Sequence, residues 1–364
     1  MKILQIIQKP QFRGAEIFAC QLSVELTQLG YEVDVLFLTG SQEEKLPFPL
    51  SFLYLNANLK RRFWDFKAYK KLNTIVVKGA YDVVQANAAD TLKYTAISKM
   101  LFRWKAKLVF RNANKMGDFL DSHLKKYINA IFVKNIDFVA SVSELCKDDF
   151  LNCFPFYKNP VFCLPIGVPL KTVVPYYSFA EIGLLFPQCN VFVHVGSFVP
   201  EKNHKGLISI FEKYLKADPS AKLLLIGEGK LKPFITQFVS DNGMGDHIFF
   251  LGKRDDVLRI LPLCKALLLP SLIEGLPGVI LEAMWSKTVV IANNVGGIGE
   301  VVTPKTGFLI AKNEEGDFVK AMENLLLNEE IKEAIVSQAF EMIHGHYNLV
   351  SIAESFAKVY NQYI

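Results

Sequence analysis

Pro270-Ser271-Leu272-Ile273-Glu274-Gly275-Leu276-Pro277-Gly278-Val279-Ile280-Leu281-Glu282-Ala283-Met284 carries two carboxylates through a change of secondary structure. The apolar run Ala266–Leu269 just before it reads as a buried strand. That strand delivers Glu274 to a glycine-bearing turn. A helix then begins near Pro277, where a missing N–H costs nothing, and carries Glu282 about two turns in. Such a turn sets backbone N–H groups and the positive end of a helix dipole beside a fixed carboxylate. The combination suits a ligand with phosphates at one end and hydroxyls at the other, and a nucleotide sugar is such a ligand. Eight residues of helix would hold the two carboxylates about 12 Å apart. Glycoside hydrolysis uses roughly 5–9.5 Å, so the pair reads as two separate roles, one at a sugar and one at a ribose.

Outward from this stretch, short apolar runs alternate with longer amphipathic ones, the rhythm of parallel sheets covered by helices on both faces. The spacing predicts strands at Lys2–Ile7, Glu32–Leu38, Tyr81–Ala86, Lys107–Phe110, Phe138–Ser141 and Val161–Leu164, with helices at Ala15–Leu29 and Thr91–Phe102 among those filling the gaps. In the second half it predicts strands at Val191–Val195, Lys222–Ile226, Ile248–Leu251, Ala266–Leu269, Val289–Ala292 and Gly307–Ile310. The proline- and glycine-rich run Pro165–Pro175 is the expected linker. Beyond about residue 314 the pattern is helical to the end, with a break expected at His344-Gly345-His346. The fold class is therefore α/β: two Rossmann-like domains, whose strand ends are expected to face a common cleft, since open α/β sheets bind ligands beyond the carboxyl ends of their strands.

Composition narrows the class. At 364 residues the chain suits two domains of ordinary size, and 51% hydrophobic residues give each a core. The six cysteines show no CxxC pair and the six histidines no helical ligand spacing, so neither a disulfide framework nor a metal is expected. The N-terminus reads as a first strand and no run of 18 apolar residues occurs, which leads to the expectation of a cytoplasmic protein. The net charge of +5 divides unevenly: residues 1–180 hold 24 Lys+Arg against 15 Asp+Glu, whereas residues 181–364 hold 17 against 21. Much of the excess lies in residues 58–72, where basic residues interleave with Phe63, Trp64, Phe66 and Tyr69. That segment either rests on an anionic membrane or phosphate-bearing acceptor, or is a solvated basic helix whose aromatics point into the core.

Four further segments fall at predicted strand ends. Gly196-Ser197-Phe198-Val199-Pro200-Glu201-Lys202 lets backbone approach a ligand and offers Lys202 to phosphates, although a loop lysine is commonly just solvated. Asn293-Asn294-Val295-Gly296-Gly297-Ile298-Gly299-Glu300 offers N–H groups for a phosphate or is an ordinary turn. Arg13-Gly14-Ala15-Glu16 places Gly14 at a helix start, open to close backbone approach. Arg111-Asn112-Ala113-Asn114 ends a strand with side chains suited to sugar hydroxyls, or with routine turn residues.

Together these segments resemble the retaining glycosyltransferases of family 4, of GT-B architecture, over nearly the whole chain. Gly196…Glu201-Lys202, Gly227-Glu228-Gly229, Leu251-Gly252, Pro270-Ser271, the Glu274/Glu282 pair and Gly296-Gly297…Glu300 stand in the family's order, as do Gly14-Ala15-Glu16 and Ser141-Val142-Ser143. The resemblance implies an acceptor domain at 1–170, a nucleotide-sugar donor domain at 171–348, and a terminal helix at 349–364 crossing back onto the first. It implies that Glu274 holds the transferred sugar and Glu282 the ribose, with Lys202 and the backbone of Gly14, Gly275 and Leu276 at the diphosphate. Ser197, Arg254, Ser271, Val279, Gly296 and Gly297 complete the implied donor site; Arg111, Asn112 and Asn114 lie on the acceptor side. No metal or cofactor is implied. The implied activity is transfer of a hexose-type sugar, with retention, to a glycan or lipid-linked glycan in surface polysaccharide assembly, without nucleic acid and with a peripheral contact at the inner membrane face.

The chain departs from the pattern at Ser197, where many members have Arg, leaving Lys202, Lys205 or Arg13 as the phosphate cations, and at Arg111-Asn112, where many have His. Rival readings are a nucleotide-sugar epimerase, a glycan phosphorylase and a non-catalytic nucleotide-sugar-binding protein. A nicotinamide dehydrogenase is disfavoured, because neither half has GxGxxG after its first strand.

Overall fold

The apolar runs become two wholly parallel sheets in the computed structural model, which describes every residue except 12, 42, 45, 170–176 and 187. The chain divides into two units, Met1–Pro169 with Leu349–Ile364, and Leu170–Asn348. The expected linker begins in the first unit, and its residues 170–175 lie outside the described ones.

In the first unit, β1 (Lys2–Ile7), β2 (Glu32–Phe37), β3 (Ser51–Tyr54), β4 (Val83–Ala86), β5 (Lys107–Asn112), β6 (Phe138–Ser141) and β7 (Val161–Cys163) pair in the order β3-β2-β1-β4-β5-β6-β7. The helices are α1 (Gly14–Gln28), α2 (Phe66–Lys78), α3 (Ala89–Phe102), α4 (His123–Val133) and α5 (Glu144–Cys153). In the second unit, β8 (Val191–Val195), β9 (Lys222–Ile226), β10 (Ile248–Gly252), β11 (Ala266–Leu269), β12 (Val289–Asn293) and β13 (Phe308–Ile310) pair as β10-β9-β8-β11-β12-β13. With them run α6 (His204–Tyr214), α7 (Lys232–Asp241), α8 (Val257–Ile260), α9 (Gly278–Trp285), α10 (Glu315–Leu327) and α11 (Glu329–His346). Both sheets reverse strand order beside their first strand, at β1/β4 and at β8/β11, the positions where doubly wound folds bind ligands.

The last helix, α12 (Leu349–Tyr363), belongs to the first unit. Its start is tied down by the Leu349 N–H donating to Val168 O at 3.0 Å. Phe356 meets Phe18 of α1, the Tyr360 hydroxyl donates to buried Gln85 Oε1 at 2.6 Å, and Tyr363 packs on Phe138 and Phe162.

Two expectations are corrected. β3 is missing from the predicted strands: it is a four-residue edge strand behind a proline-rich approach, half-exposed and paired on one side only. The expected break at His344-Gly345-His346 is absent, because α11 runs through it and ends at Tyr347-Asn348. A glycine costs a helix about 1 kcal/mol; here a stack of Trp285, Phe340 and His344 rings steadies the helix just before Gly345.

Candidate active site

The second unit's switch point gathers the residues of greatest chemical interest. After β8, the Gly196 N–H donates to Ile226 O at 2.9 Å and the Phe198 N–H to Glu228 O at 3.1 Å, seating this turn on the turn after β9. Gly227 has φ +146°, and a Cβ there would lie 2.0 Å from Gly196 O, so no larger residue fits. Ser197 is half-buried within this seam.

The chain then makes a 3-10 turn at Pro200–Lys202 and passes Asn203 in the left-handed region, φ +53°. The Asn203 side chain caps α6 through the Gly206 N–H at 3.2 Å, and its Nδ2 donates to Pro270 O at 3.1 Å. The Leu272 N–H donates to Glu201 O at 2.7 Å. These bonds lace the loop after β8 to the loop after β11, and the result is an ion pair between Lys202 Nζ and Glu274 Oε1. The Glu274 side chain is 9% exposed and that of Lys202 19%.

Below the pair lies a layer of rings that sequence reading did not single out. His194 is fully buried, with Nδ1 donating to Leu268 O across 2.8 Å and Nε2 unpartnered among the described residues. It meets the His204 ring edge-on at 4.8 Å, and His204 stacks on Phe198 at 4.0 Å. Burial holds both imidazoles below their ordinary pKa, His204 at about 4, so the layer is neutral near pH 7. A poorly polarisable floor strengthens the attraction of the charges above it. Only strand pairing reveals that His194 points into this layer; the sequence showed merely scattered histidines.

The turn carrying Glu274 is clasped by the glycine-rich turn after β12. Gly296 has φ +56°, and a Cβ there would fall 1.9 Å from Glu274 O; the Gly297 N–H donates to Gly275 O at 2.6 Å. Of the two readings of this turn, the Gly297 N–H fits the ordinary one, since it is already committed within the chain. Gly275 and Leu276 are buried in the turn, and Val279 is half-buried in the first turn of α9. Ser271 is buried, its Oγ without a partner among the described residues.

Glu282 sits on α9, half-buried and without an ion-pair partner among the described residues. Desolvation pushes its carboxyl up to about 7. Only Gly278 onward is helical, so the 12 Å helical spacing does not describe Glu274 and Glu282, and Glu282 stands nearer one turn in than two. Arg254, implied to lie beside the base, forks onto Asp256 at 2.7 and 2.5 Å.

In the first unit, Gly14 opens α1, whose N-cap Arg13 makes no side-chain capping bond. A Cβ on Gly14 would meet nothing within 4 Å, so the fold itself does not demand glycine. Glu16, in the first turn of α1, is buried, accepts from Gln11 Nε2 at 2.6 Å and is pushed up by desolvation. Arg111 is buried, lies over the Phe18 ring at 4.4 Å, and leaves Nε and Nη1 unpartnered among the described residues. Burial lowers its guanidinium to about 10. Asn112 turns into the core, donating to Ser141 Oγ at 3.3 Å and Cys146 O at 3.0 Å, so its amide N–H groups are committed within the chain. Asn114 is exposed. Sequence reading also missed the buried polar cluster of Gln5, Gln85 and Asn87 beneath Tyr360.

Comparison with known proteins places this geometry in a family. The model described as Glycosyltransferase Family 4 matches residues 12–172, and that described as Glycosyl transferases group 1 matches residues 180–342. The chain belongs to this family, and it is a glycosyltransferase of GT-B type. N-acetyl-alpha-D-glucosaminyl L-malate synthase of Bacillus anthracis is 29% identical, over 96% of this chain and 94% of that one. Poly(ribitol-phosphate) alpha-N-acetylglucosaminyltransferase of Staphylococcus aureus is 28% identical, over 77% of this chain and 50% of that one. Among solved structures, sucrose-phosphate synthase from Thermosynechococcus elongatus superposes with a TM-score of 0.83 at 19% identity, covering 100% and 98% of the two chains. Anabaena HepE in complex with UDP-glucose gives 0.83 at 18%, covering 100% of both.

Proposed function

We propose that this glycosyltransferase moves a hexose-type sugar from a nucleotide diphosphate donor, with retention at the anomeric carbon, to a glycan or lipid-linked glycan acceptor. The observation that carries the reading is the Lys202–Glu274 pair at the β8/β11 switch point, with Glu282, which has no ion-pair partner among the described residues, on the helix that follows. In this reading Lys202 turns to the diphosphate and Glu274, released from it, accepts from the sugar's hydroxyls. Glu282 accepts from the ribose. Gly14, Ser197, Ser271, Gly275, Leu276 and Val279 line the donor, Gly296 and Gly297 hold its turn in place, and Arg254 stiffens the loop beside the base. Arg111 and Asn114 serve the acceptor, with Asn112 positioning them. The first unit is then the acceptor domain and the second the donor domain.

Transfer with retention asks little acid–base chemistry of side chains. The departing diphosphate takes the acceptor's proton on the face it leaves, while Lys202 stabilises the growing negative charge and the two glutamates hold the donor in register. No metal enters the reading. A similarity to proteins named for N-acetylglucosaminyl transfer, and to a fold solved with UDP-glucose, supports a UDP-linked donor class. A place in surface polysaccharide assembly, at the cytoplasmic face of the membrane, completes the proposal; no described helix is long and apolar enough to cross a bilayer.

Transfer from a radiolabelled donor by Glu274→Ala tests the reading. Transfer is expected to fall about a hundred- to a thousandfold, in keeping with loss of one preorganised polar group in a dry site, while circular dichroism stays native. Near-normal turnover would refute the assignment of Glu274. Proton NMR of the product's anomeric centre tests retention separately.

A further inference from the structure

The basic, aromatic segment at residues 58–72 resolves into two parts. Tyr69 and Leu72 of α2 are buried, but Phe63, Trp64 and Phe66 are not: Trp64 is 76% exposed and Phe66 57%. Phe63 stacks on Phe132 of α4 at 6.4 Å, which brings the segment beside a second apolar edge. There the first two turns of α4 stand out from the unit, with Leu124 67% and Tyr127 70% exposed. Leu124 and Tyr127 are one turn apart and share a face. Phe66 meets the buried Tyr69 ring edge-on at 6.0 Å yet stays largely exposed, and Leu124 and Tyr127 lie outside the core-facing set of α4, which is Phe132, Val133 and Ile128.

Charge accompanies the apolar groups. Lys60, Arg61, Lys67 and Lys126 are exposed and make no ion pair among the described residues. Two of the nearby carboxylates are engaged: Asp65 caps α2 and accepts from the Asn58 N–H, and Asp121 pairs with Lys125. The result is two solvent-facing apolar edges, Trp64 with Phe66 and Leu124 with Tyr127, joined through Phe63 and Phe132 and set among cations that make no ion pair among the described residues.

From this patch we infer that the first unit seats on an anionic lipid surface, Trp64, Phe66, Leu124 and Tyr127 entering the headgroup layer while Lys60, Arg61, Lys67 and Lys126 meet lipid phosphates. Protein–protein interface cores are depleted in lysine, whereas interleaved Lys/Arg with Trp, Phe and Leu marks elements that lie in a membrane interface. Trp and Tyr prefer headgroup depth, and each basic residue near an anionic leaflet contributes on the order of 1 kcal/mol. The inference deepens the proposed lipid-linked acceptor and rests on that part of the proposal alone, since it uses no residue of the donor site.

Flotation of the full chain with phosphatidylcholine vesicles, and with phosphatidylcholine–phosphatidylglycerol vesicles at low and high salt, tests it. The wild type is expected to float with the anionic vesicles only, and to be released by salt. The pair Trp64→Ser with Tyr127→Ser, and separately Lys67→Glu with Lys126→Glu, are each expected to lower the bound fraction about tenfold. Both pairs should keep the wild-type melting temperature and donor turnover in solution. Equal flotation with both vesicle types, or variants that float like the wild type, would overturn the inference. So would a wild-type dimer in light scattering that Trp64→Ser with Tyr127→Ser converts to monomer, since a second copy would then cover the patch. If no nucleotide sugar is turned over yet flotation behaves as expected, the donor reading fails and this one stands.

Discussion

Glu282 shows how burial and function oppose each other in one side chain. Its carboxyl would lose its proton near 4.5 in an unfolded chain but near 7 in the fold, because burial disfavours the charged form. The folded protein therefore binds more protons across that window. Its stability is undiminished below about 4.5 and falls as pH rises, the loss being complete above about 7. Ribose recognition needs the opposite state, the carboxylate. Donor KM is accordingly expected to fall as pH rises through about 7, and Glu282→Gln to abolish that dependence. The same variant should flatten the pH-dependence of melting and raise donor KM roughly tenfold or more, as a hydrogen bond to a charged group is worth about 1.5–3 kcal/mol. Melting curves and donor kinetics across pH check both halves; a Glu282→Gln enzyme with wild-type KM would remove the residue from the ribose. The identity of this acid was legible in the sequence, but its titration was not, because desolvation depends on what α9 packs against.

At the level of elements, glycines separate structural demand from ligand demand. Gly296 and Gly227 are required by the chain itself, since a methyl group at either would strike a carbonyl of the neighbouring turn. Gly14 faces no such obstacle. Gly296→Ala is expected to lower the melting temperature by several degrees, as a strained backbone position costs on the order of 1–3 kcal/mol, and to lose activity by displacing the Glu274 turn. Gly14→Ala should melt as the wild type does, within about 0.5 kcal/mol, yet bind donor more weakly. Thermal unfolding with donor kinetics on both variants distinguishes them; a Gly14→Ala enzyme with unchanged donor KM would show that nothing approaches that backbone. The apolar runs gave most strands nearly to the residue, because strands buried in a parallel sheet read as unbroken Val/Ile/Leu segments. The exceptions have causes. β3 is an edge strand of only four residues next to prolines, too short for its Phe52-Leu53-Tyr54 run to mark it, and α11 continues past Gly345 because neighbouring rings support it. The ring layer of His194, His204 and Phe198 depends on β8 pairing with β11, a contact that no local pattern encodes.

Across the whole molecule, each unit closes around one doubly wound sheet, and the chain returns to the first through α12. The returning helix is fixed less by its own propensity than by Tyr360 reaching the buried Gln85 and by rings meeting Phe18, Phe138 and Phe162. Gln85 of β4 and Phe138 of β6 are therefore supported by residues far along the sequence. The second sheet is self-contained, and everything assigned to the nucleotide sugar's glycosyl and ribose ends lies on it. Its ability to grip such a ligand is the claim on which the rest turns. The direct measurement is a thermal-shift titration with UDP-, GDP- and ADP-sugars on the wild type, Glu274→Ala and Glu282→Gln. A ligand at a hundred times its Kd stabilises the folded state by about 2.7 kcal/mol. One nucleotide sugar is expected to raise the wild-type melting temperature by several degrees and to do so far less in both variants. A wild type unmoved by the whole panel, or variants stabilised as much as the wild type, would contradict the account.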